Sequence, residues 1–342
     1  MHKTLLSIGL GVVLFSCASQ KKTSLEPKPA KPQPGMLTDK AKTQETTVDR
    51  PAVERHGGHA FYRVNIADAS KNNNTISYGS IVEANPQGYQ VVKTYFPSVG
   101  QNFRQRYVIL HYTALDNEKS IRVLTQQSVS AHYLVNDLDD KEIYQLVDEN
   151  KRAYHAGVSS WRKVENLNDS SIGIEIVNTG YTADAQGNKT FYDYPEWQYR
   201  KVAALVKDLV DRYQIAPFNV LGHSDIAPTR KEDPGPKFPW KRLYEEYGLG
   251  MWYEESAKLR YLEQMDDSTF SQQVDTPPFI FQYQTMLRDF GYGLLPNGAA
   301  DRVSKKTVEA FQYRFRPERC DGVMDMETYA ILQALLEKYP AK

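Results

Sequence analysis

Apolar and polar positions divide the chain into a polar N-terminal stretch and two regions of regular hydrophobic periodicity. In the first region, short β-branched runs alternate with longer runs whose apolar positions recur every three or four residues. These patterns predict strands at 107–111, 131–135, 142–147, 171–177 and 219–222, and helices at 117–127 and 194–213. Because strands and helices are interleaved, we expect an α/β fold at 60–255, with a mixed central β-sheet flanked by helices.

The second periodic region occupies residues 278–340. Apolar positions at helical spacing predict helices at 281–290, 304–315 and 325–339. Asp325 is a residue type that favours the position before the first turn of the last helix. The intervening residues 256–277 are mostly polar and end in two prolines, which predicts a linker. We therefore expect a small three-helix domain after the α/β domain.

The N-terminus has the pattern of a processing signal. A short basic start precedes a mostly apolar run at 4–15, which is shorter than the ~20 residues needed to span a bilayer. The sequence LFSC, ending at Cys17, resembles a bacterial lipobox. It predicts a lipoprotein signal peptide at 1–16 and lipidation of Cys17, with a plain secretory signal and an incidental cysteine as the alternative. Residues 17–59 are polar and predict a disordered tether.

Composition limits the class of partner. The 42 basic residues balance 42 acidic ones, and a zero formal net charge argues against nucleic acid, which favours a basic surface. The chain has two cysteines, so Cys320 has no disulfide partner if Cys17 carries lipid. We expect Cys320 to be a partly buried thiol without a nucleophilic role. Nothing in the sequence indicates an obligate protein partner.

The residues that suggest chemistry lie mainly in a proline-rich segment at 222–240. Proline restricts the backbone, so this segment is built to hold His223, Lys231 and Asp233 in a fixed arrangement. An imidazole and a carboxylate are two of the three protein ligands of a catalytic zinc, and His111, at the end of a predicted strand, is the natural third. The spacing is not HExxH, which excludes a helix-borne zinc site of that type. Spacing alone favours ordinary half-buried histidines over zinc ligands, because many histidines bind no metal.

Longer stretches around these residues resemble a known family. RYVILHYTA, SVSAHYLV, YHAGVSSWR, LNDSSIGIEIVNTG and GHSDIAPTRKEDPGPKFPW occur in that order. They closely resemble the zinc-dependent N-acetylmuramoyl-L-alanine amidases of the amidase-2 type, which are relatives of peptidoglycan-recognition proteins, over roughly residues 88–250. KKTVEAFQ and DGVMDMET, at 305–312 and 321–328, resemble a three-helix peptidoglycan-binding domain. The order of lipobox, amidase and helical unit resembles the lipoprotein amidases of the enteric outer membrane.

The resemblance implies a reaction and a role for each matching residue. It implies that Zn²⁺ is held by His111, His223 and Asp233, with water in the fourth position. Glu175 matches the family's catalytic glutamate and would serve as general base, and Lys231 would stabilise the oxyanion. The implied reaction is hydrolysis of the amide between the lactyl group of N-acetylmuramic acid and L-alanine in peptidoglycan. These residues all precede Trp240, so we expect the chemistry to need nothing downstream.

Three further residues are candidates for substrate contact. His132, His155 and Trp161 lie in or near loops that could line a groove, Trp161 by stacking on a sugar or peptide, although such residues also serve as ordinary packing. The residue after the lipobox cysteine is Ala18. An aspartate at that position would favour retention of a lipoprotein in the inner membrane. We therefore expect a lipid-anchored protein of the outer membrane that faces the periplasm and has peptidoglycan as its partner.

Three alternative functions stay open at this point. The first is a non-catalytic lipoprotein that recognises peptidoglycan, and the second is a structural lipoprotein that joins membrane to wall through residues 278–340. The complete set of proposed ligands and base argues against both. The third is a zinc peptidase that cuts within the stem peptide, because the sequence does not determine which bond is cut.

Overall fold

A computed structural model of the protein describes residues 53–56, 59–62, 86–91 and 102–340. The predicted signal peptide, Cys17 and most of the predicted tether lie outside these residues. The strands in the described part are β1 Val53–His56, β2 His59–Tyr62, β3 Tyr107–Tyr112, β4 Tyr133–Val135, β5 Tyr144–Gln145, β6 Ser160–Trp161, β7 Val164–Glu165, β8 Ser171–Ile176, β9 Tyr181–Ala183, β10 Lys189–Phe191 and β11 Val220–Gly222. The helices there are α1 Asn117–Gln126, α2 Glu196–Tyr213, α3 His223–Ile226, α4 Trp240–Tyr247, α5 Glu255–Glu263, α6 Asp267–Gln273, α7 Pro277–Phe290, α8 Arg302–Phe315 and α9 Met326–Lys338.

A five-stranded sheet in the order β11-β3-β8-β4-β5 forms the centre of the fold. Its first four strands are parallel, and β5 pairs antiparallel with β4. Residues 108–110 of β3 are completely buried, as expected for a parallel strand covered on both faces. Helix α2 packs on the sheet through an apolar face that includes Val202, Val206 and Leu209, all without solvent exposure. The predicted mixed sheet with flanking helices is therefore confirmed.

The polar N-terminal segment contains more structure than its composition suggests. Strands β1 and β2 pair antiparallel, with Val53 opposite Tyr62. The prediction of a disordered tether is therefore wrong at 53–56, where the chain forms a strand. Val53, Phe61 and Tyr62 are the residues in these two strands whose types favour β-structure.

The segment 256–277, predicted as a linker, instead contains α5 and α6. Its few apolar residues are sufficient to dock it. Ala257 and Phe270 are buried, and the Phe270 ring packs edge-on against Phe279 of α7 at 5.3 Å between ring centroids. Helix α5 lies along α9. The segment is therefore part of the folded C-terminal unit.

The three helices predicted after this segment are confirmed as α7, α8 and α9. Asp325 caps α9 as expected, because its carboxylate accepts a hydrogen bond of 2.9 Å from the backbone N–H of Thr328. In the part of the chain described here, no helix combines the length and apolar character needed to cross a membrane.

Candidate metal centre and active site

The site forms where three neighbouring strands end at the same edge of the sheet. In the parallel register of β3 and β8, His111 lies directly opposite Glu175. Strand β11 pairs with β3 on its other side, and His223 follows the last residue of β11. Ligands commonly bind outside the carboxyl ends of the strands in such sheets. The fold thus brings together residues that are 112 positions apart in the sequence.

Three side-chain atoms converge at this edge. His111 Nδ1, His223 Nδ1 and Asp233 Oδ2 lie 2.9 Å from one another, and all three residues are buried. A hydrogen bond needs one hydrogen between each pair of atoms, and no placement of hydrogens on two imidazoles and a carboxylate satisfies all three contacts. Tetrahedral zinc requires donor atoms roughly 3.3 Å apart, since its bonds to nitrogen and oxygen are about 2.0–2.1 Å. The donor set therefore suits a zinc ion, which would hold the three atoms about 0.4 Å farther apart than the 2.9 Å found here.

The hydrogen-bond partner of His223 Nε2 indicates which tautomer of the ring is present. His223 Nε2 lies 3.0 Å from the carbonyl oxygen of Ala156, which can only accept a hydrogen bond. The Arg230 guanidinium lies farther from the same nitrogen, at 3.4 Å, so the closer carbonyl assigns the hydrogen to Nε2, and Nδ1 then presents its lone pair to the other two atoms of the cluster. A backbone carbonyl that orients an imidazole in this way is a common support of metal ligands.

Burial and neighbouring charges favour the protonation states that a metal ion requires. Burial, reinforced by His223, lowers the pKa of His111 to about 4, so this ring is neutral near pH 7. Burial alone would raise the pKa of Asp233, but His223 and His111 outweigh it and hold that pKa well below its usual range. A neutral imidazole and an ionised carboxylate are the forms that bind divalent metals.

Glu175 and Lys231 line the same cavity as the three ligand residues. This cavity has a volume of about 220 Å³. Glu175 is partly accessible as a side chain, but its Oε2 is buried and has no hydrogen-bond partner among the described residues. Burial and the negative charge of Asp233 raise the pKa of Glu175 to about 8, against the opposing effect of Lys231. A carboxyl group whose pKa lies this close to neutral pH can both take up and release a proton there.

Comparison with known proteins supports a hydrolytic role for this site. Residues 101–236 match the family described as N-acetylmuramoyl-L-alanine amidase, and residues 276–332 match one described as peptidoglycan binding. The chain is 41% identical over 241 residues to the N-acetylmuramoyl-L-alanine amidase AmiD of Escherichia coli, an alignment that covers 69% of this chain and 84% of AmiD. The chain belongs to the amidase-2 family of N-acetylmuramoyl-L-alanine amidases.

Other relatives agree with this assignment of the amidase. The 1,6-anhydro-N-acetylmuramyl-L-alanine amidase AmpD of E. coli is 46% identical over 115 residues, which cover 34% of this chain and 56% of AmpD. The structure of AmiD from E. coli with anhydro-N-acetylmuramic acid-L-Ala-D-gamma-Glu-L-Lys superposes with a TM-score of 0.68 at 38% identity, covering 75% of this chain and 98% of AmiD. AmpDh3 of Pseudomonas aeruginosa, in complex with anhydromuramic pentapeptide, gives a TM-score of 0.65 at 41% identity, covering 74% and 99%.

Two of the residues predicted to contact substrate lie in the interior of the amidase. Trp161 has no solvent exposure; its indole N–H donates to the carbonyl of Phe218 at 2.9 Å, and its ring packs edge-on against Tyr292. His132 is also fully buried, and both of its ring nitrogens bond to the backbone, at Gly173 and Lys151. The prediction of substrate contact is wrong for both, because neither side chain reaches the cavity surface.

His155 occupies an intermediate position. It borders the cavity, but it is only 8% exposed and its Nδ1 lies 2.9 Å from Nε2 of His111. Its Nδ1 therefore faces His111 and its Nε2 faces Ser171, at 3.1 Å, which leaves little polar surface for substrate. Tyr154, which sequence reasoning passed over, lines the same cavity and is 55% exposed. Its place beside His155 in YHAGVSSWR was the available signal.

Proposed function

We propose that this amidase cleaves the bond between N-acetylmuramic acid and L-alanine with a zinc ion held by His111, His223 and Asp233. The observation that carries the proposal is the convergence of the three ligand atoms beside Glu175 and Lys231 in one cavity. Zinc bound there would supply Lewis-acid chemistry, polarising a carbonyl group and lowering the pKa of a water molecule.

The protein's own groups supply proton transfer and charge stabilisation. Glu175 Oε2, which has no hydrogen-bond partner among the described residues, would take a proton from the attacking water and deliver it to the nitrogen of the leaving amine. The Lys231 ammonium group is placed to stabilise the negative charge that develops on the carbonyl oxygen. Both groups act from fixed elements, Glu175 from β8 and Lys231 from the proline-rich segment.

We also propose that the substrate includes muropeptides. AmiD and AmpDh3 each have a structure with an anhydromuramic peptide, and both cover about three quarters of this chain. The match of residues 276–332 to a peptidoglycan-binding family supports a polymer of the same chemistry as partner. A non-catalytic role is not favoured, because the ligand set and the base are both present in the cavity.

The decisive experiment is digestion of a purified muropeptide followed by mass analysis of the products. We expect release of the intact stem peptide with a free L-alanine amine, whereas a peptidase would leave the lactyl amide intact. Glu175→Gln should retain zinc and lose ~10²–10⁴-fold in turnover, the usual contribution of a general base. Asp233→Ala should lose zinc as well as activity. Full zinc content and continued cleavage in Asp233→Ala would show that the ligand assignment is wrong.

We further propose that the protein is exported and anchored to the outer membrane through lipid on Cys17, facing the periplasm. The support is the lipobox-like LFSC sequence after an apolar run too short to span a bilayer. Cys17→Ser should move the protein from the outer-membrane fraction to the soluble periplasmic fraction and abolish labelling by a radioactive fatty acid. Unchanged membrane fractionation of this variant would contradict the lipid anchor.

A further inference from the structure

A buried hydrogen-bond chain extends from the candidate zinc ligand His111 into the interior. His111 Nε2 lies 2.9 Å from His155 Nδ1, and His155 Nε2 lies 3.1 Å from Ser171 Oγ. Ser171 Oγ in turn lies 2.6 Å from the carbonyl oxygen of Leu167. All three polar side chains in this chain are buried, so water does not compete for their hydrogen bonds.

The direction of this chain is fixed from its inner end. The Leu167 carbonyl can only accept a hydrogen bond, so the Ser171 hydroxyl donates its single hydrogen to that carbonyl. Ser171 Oγ must then accept from His155 Nε2–H, which leaves a lone pair on His155 Nδ1. That lone pair accepts from His111 Nε2–H, so His111 Nδ1 carries no hydrogen. The free lone pair of His111 Nδ1 is the one that points to His223 and Asp233.

The fold holds His155 in place for this contact. The side-chain oxygen of Asn168 accepts hydrogen bonds from the backbone N–H groups of His155, at 3.1 Å, and Ala156, at 2.8 Å. The His155 ring lies directly over Gly173 of β8, where a Cβ atom would come within 2.4 Å of the ring. Only glycine at 173 leaves room for the imidazole. The His155 ring is therefore held in a fixed position between β8 and His111.

We propose that His155 is a positioning residue that selects the zinc-binding tautomer and orientation of His111. The inference rests on the proposed function, because His111 is a ligand only if zinc binds there. Without an acceptor at His155 Nδ1, His111 has no partner for its Nε2 hydrogen and is free to carry hydrogen on Nδ1, which blocks the lone pair. Loss of such an orienting partner typically costs 10–100-fold in metal affinity.

The experiment measures zinc affinity by competition with a chromophoric chelator in the full chain. His155→Phe keeps a ring but removes both nitrogens, and we expect its zinc affinity to fall ~10–100-fold. His155→Asn offers a side-chain oxygen near the position of Nδ1 and should recover part of this loss. The visible absorption of Co²⁺ in the same site supplies a second readout, because its intensity and position respond to ligand geometry.

A neighbouring histidine provides a matched control. His132 is also buried, and its ring centroid lies 5.8 Å from that of His155. Both of its ring nitrogens form hydrogen bonds with the backbone, at Lys151 and Gly173, and not with a proposed ligand. His132→Phe should therefore lower stability and leave the zinc affinity of the folded protein close to that of the parent. An equal loss of affinity in both variants, or no loss in His155→Phe, would overturn the proposal.

Ser171→Ala keeps the proposal testable if His155→Phe does not fold. It removes only the inner acceptor, frees His155 to exchange its two nitrogens, and should weaken zinc binding several-fold with little change in packing. Unchanged affinity in Ser171→Ala would then count against the proposal. If the parent itself binds no zinc, the proposed function fails. If the parent binds zinc and Asp233→Ala loses it while His155→Phe does not, the inference about His155 alone fails.

Discussion

At Glu175 the fold places a carboxyl group with one oxygen that is buried and has no hydrogen-bond partner within the described part of the chain. Burial and the nearby Asp233 raise the pKa of this group to about 8. Buried polar atoms are rarely left unpaired, and exceptions are concentrated at functional positions. Burial of this carboxyl group therefore both lowers the stability of the fold and raises the affinity of Glu175 for a proton.

The raised pKa of Glu175 predicts a pH dependence of stability. Between about pH 5 and pH 8 the folded, zinc-free protein keeps a proton on Glu175 that the unfolded chain has released. The unfolding free energy of the parent should thus fall with rising pH relative to Glu175→Gln, by an amount on the order of a few kcal/mol. Comparing the two proteins cancels the opposite trend from His111, whose pKa is lowered.

The measurement is urea unfolding of both zinc-stripped proteins at several pH values in this window. Zinc is removed first because its positive charge would stabilise the carboxylate and lower the pKa of Glu175. Parallel stability curves for the parent and Glu175→Gln from pH 5 to pH 8 would show that the carboxyl group is not perturbed in this way.

At the scale of single residues, functional residues were predictable from the sequence where the residue type suits the chemistry and the residue lies within a long motif. His111, His223 and Asp233 were predicted together, and the structure brings their ligand atoms within hydrogen-bond distance. Trp161 was misjudged because an aromatic residue in a loop has the same pattern whether it faces substrate or packs inside. The hydrogen-bond chain through His155 is invisible in sequence, since it depends on distances between side chains from two strands and a loop.

At the scale of elements, the parallel strands were predictable and the short or weakly apolar elements were not. Strand β3 has a continuous apolar run before His111, and β8 has isoleucines at alternate positions on both sides of Glu175. The observed bounds of both strands differ from prediction by one residue. The edge strand β5 has two residues where six were predicted, because it pairs on one side only. Helices α5 and α6 were missed because their burial depends on contacts with α7 and α9, which no local pattern encodes.

At the scale of the whole molecule, the C-terminal helices and the amidase sheet share one hydrophobic core. Arg314 of α8 forms a buried ion pair of 2.8 Å with Asp225, two residues after the proposed ligand His223, and also donates to the carbonyl of Val220. Tyr292 donates a further hydrogen bond to Asp225. The expectation that the chemistry needs nothing beyond Trp240 disregards this contact, which the sequence conceals because the paired residues are 89 positions apart.

This ion pair predicts that a change in the C-terminal unit alters the amidase site. Arg314→Met removes the positive charge and leaves Asp225 buried without its ionic partner, which should cost about 3–5 kcal/mol in unfolding free energy. We also expect a lower zinc content, because Asp225 bonds to the backbone N–H of Gly222 and so supports the turn that carries His223. Urea unfolding and the ratio of zinc to protein measure the two effects.

Two companion variants make the interpretation specific. Arg288→Met removes an exposed arginine whose carboxylate partner is also exposed, and such pairs contribute at most about 1 kcal/mol, so this variant should behave like the parent. Adding Asp225→Asn to Arg314→Met removes the buried carboxylate charge that has lost its partner, and should restore part of the lost unfolding free energy. If Arg314→Met costs no more than Arg288→Met and retains full zinc, the helical unit is a separable appendage. If it behaves as expected, the C-terminal helices support the metal centre as well as any contact they make with the wall.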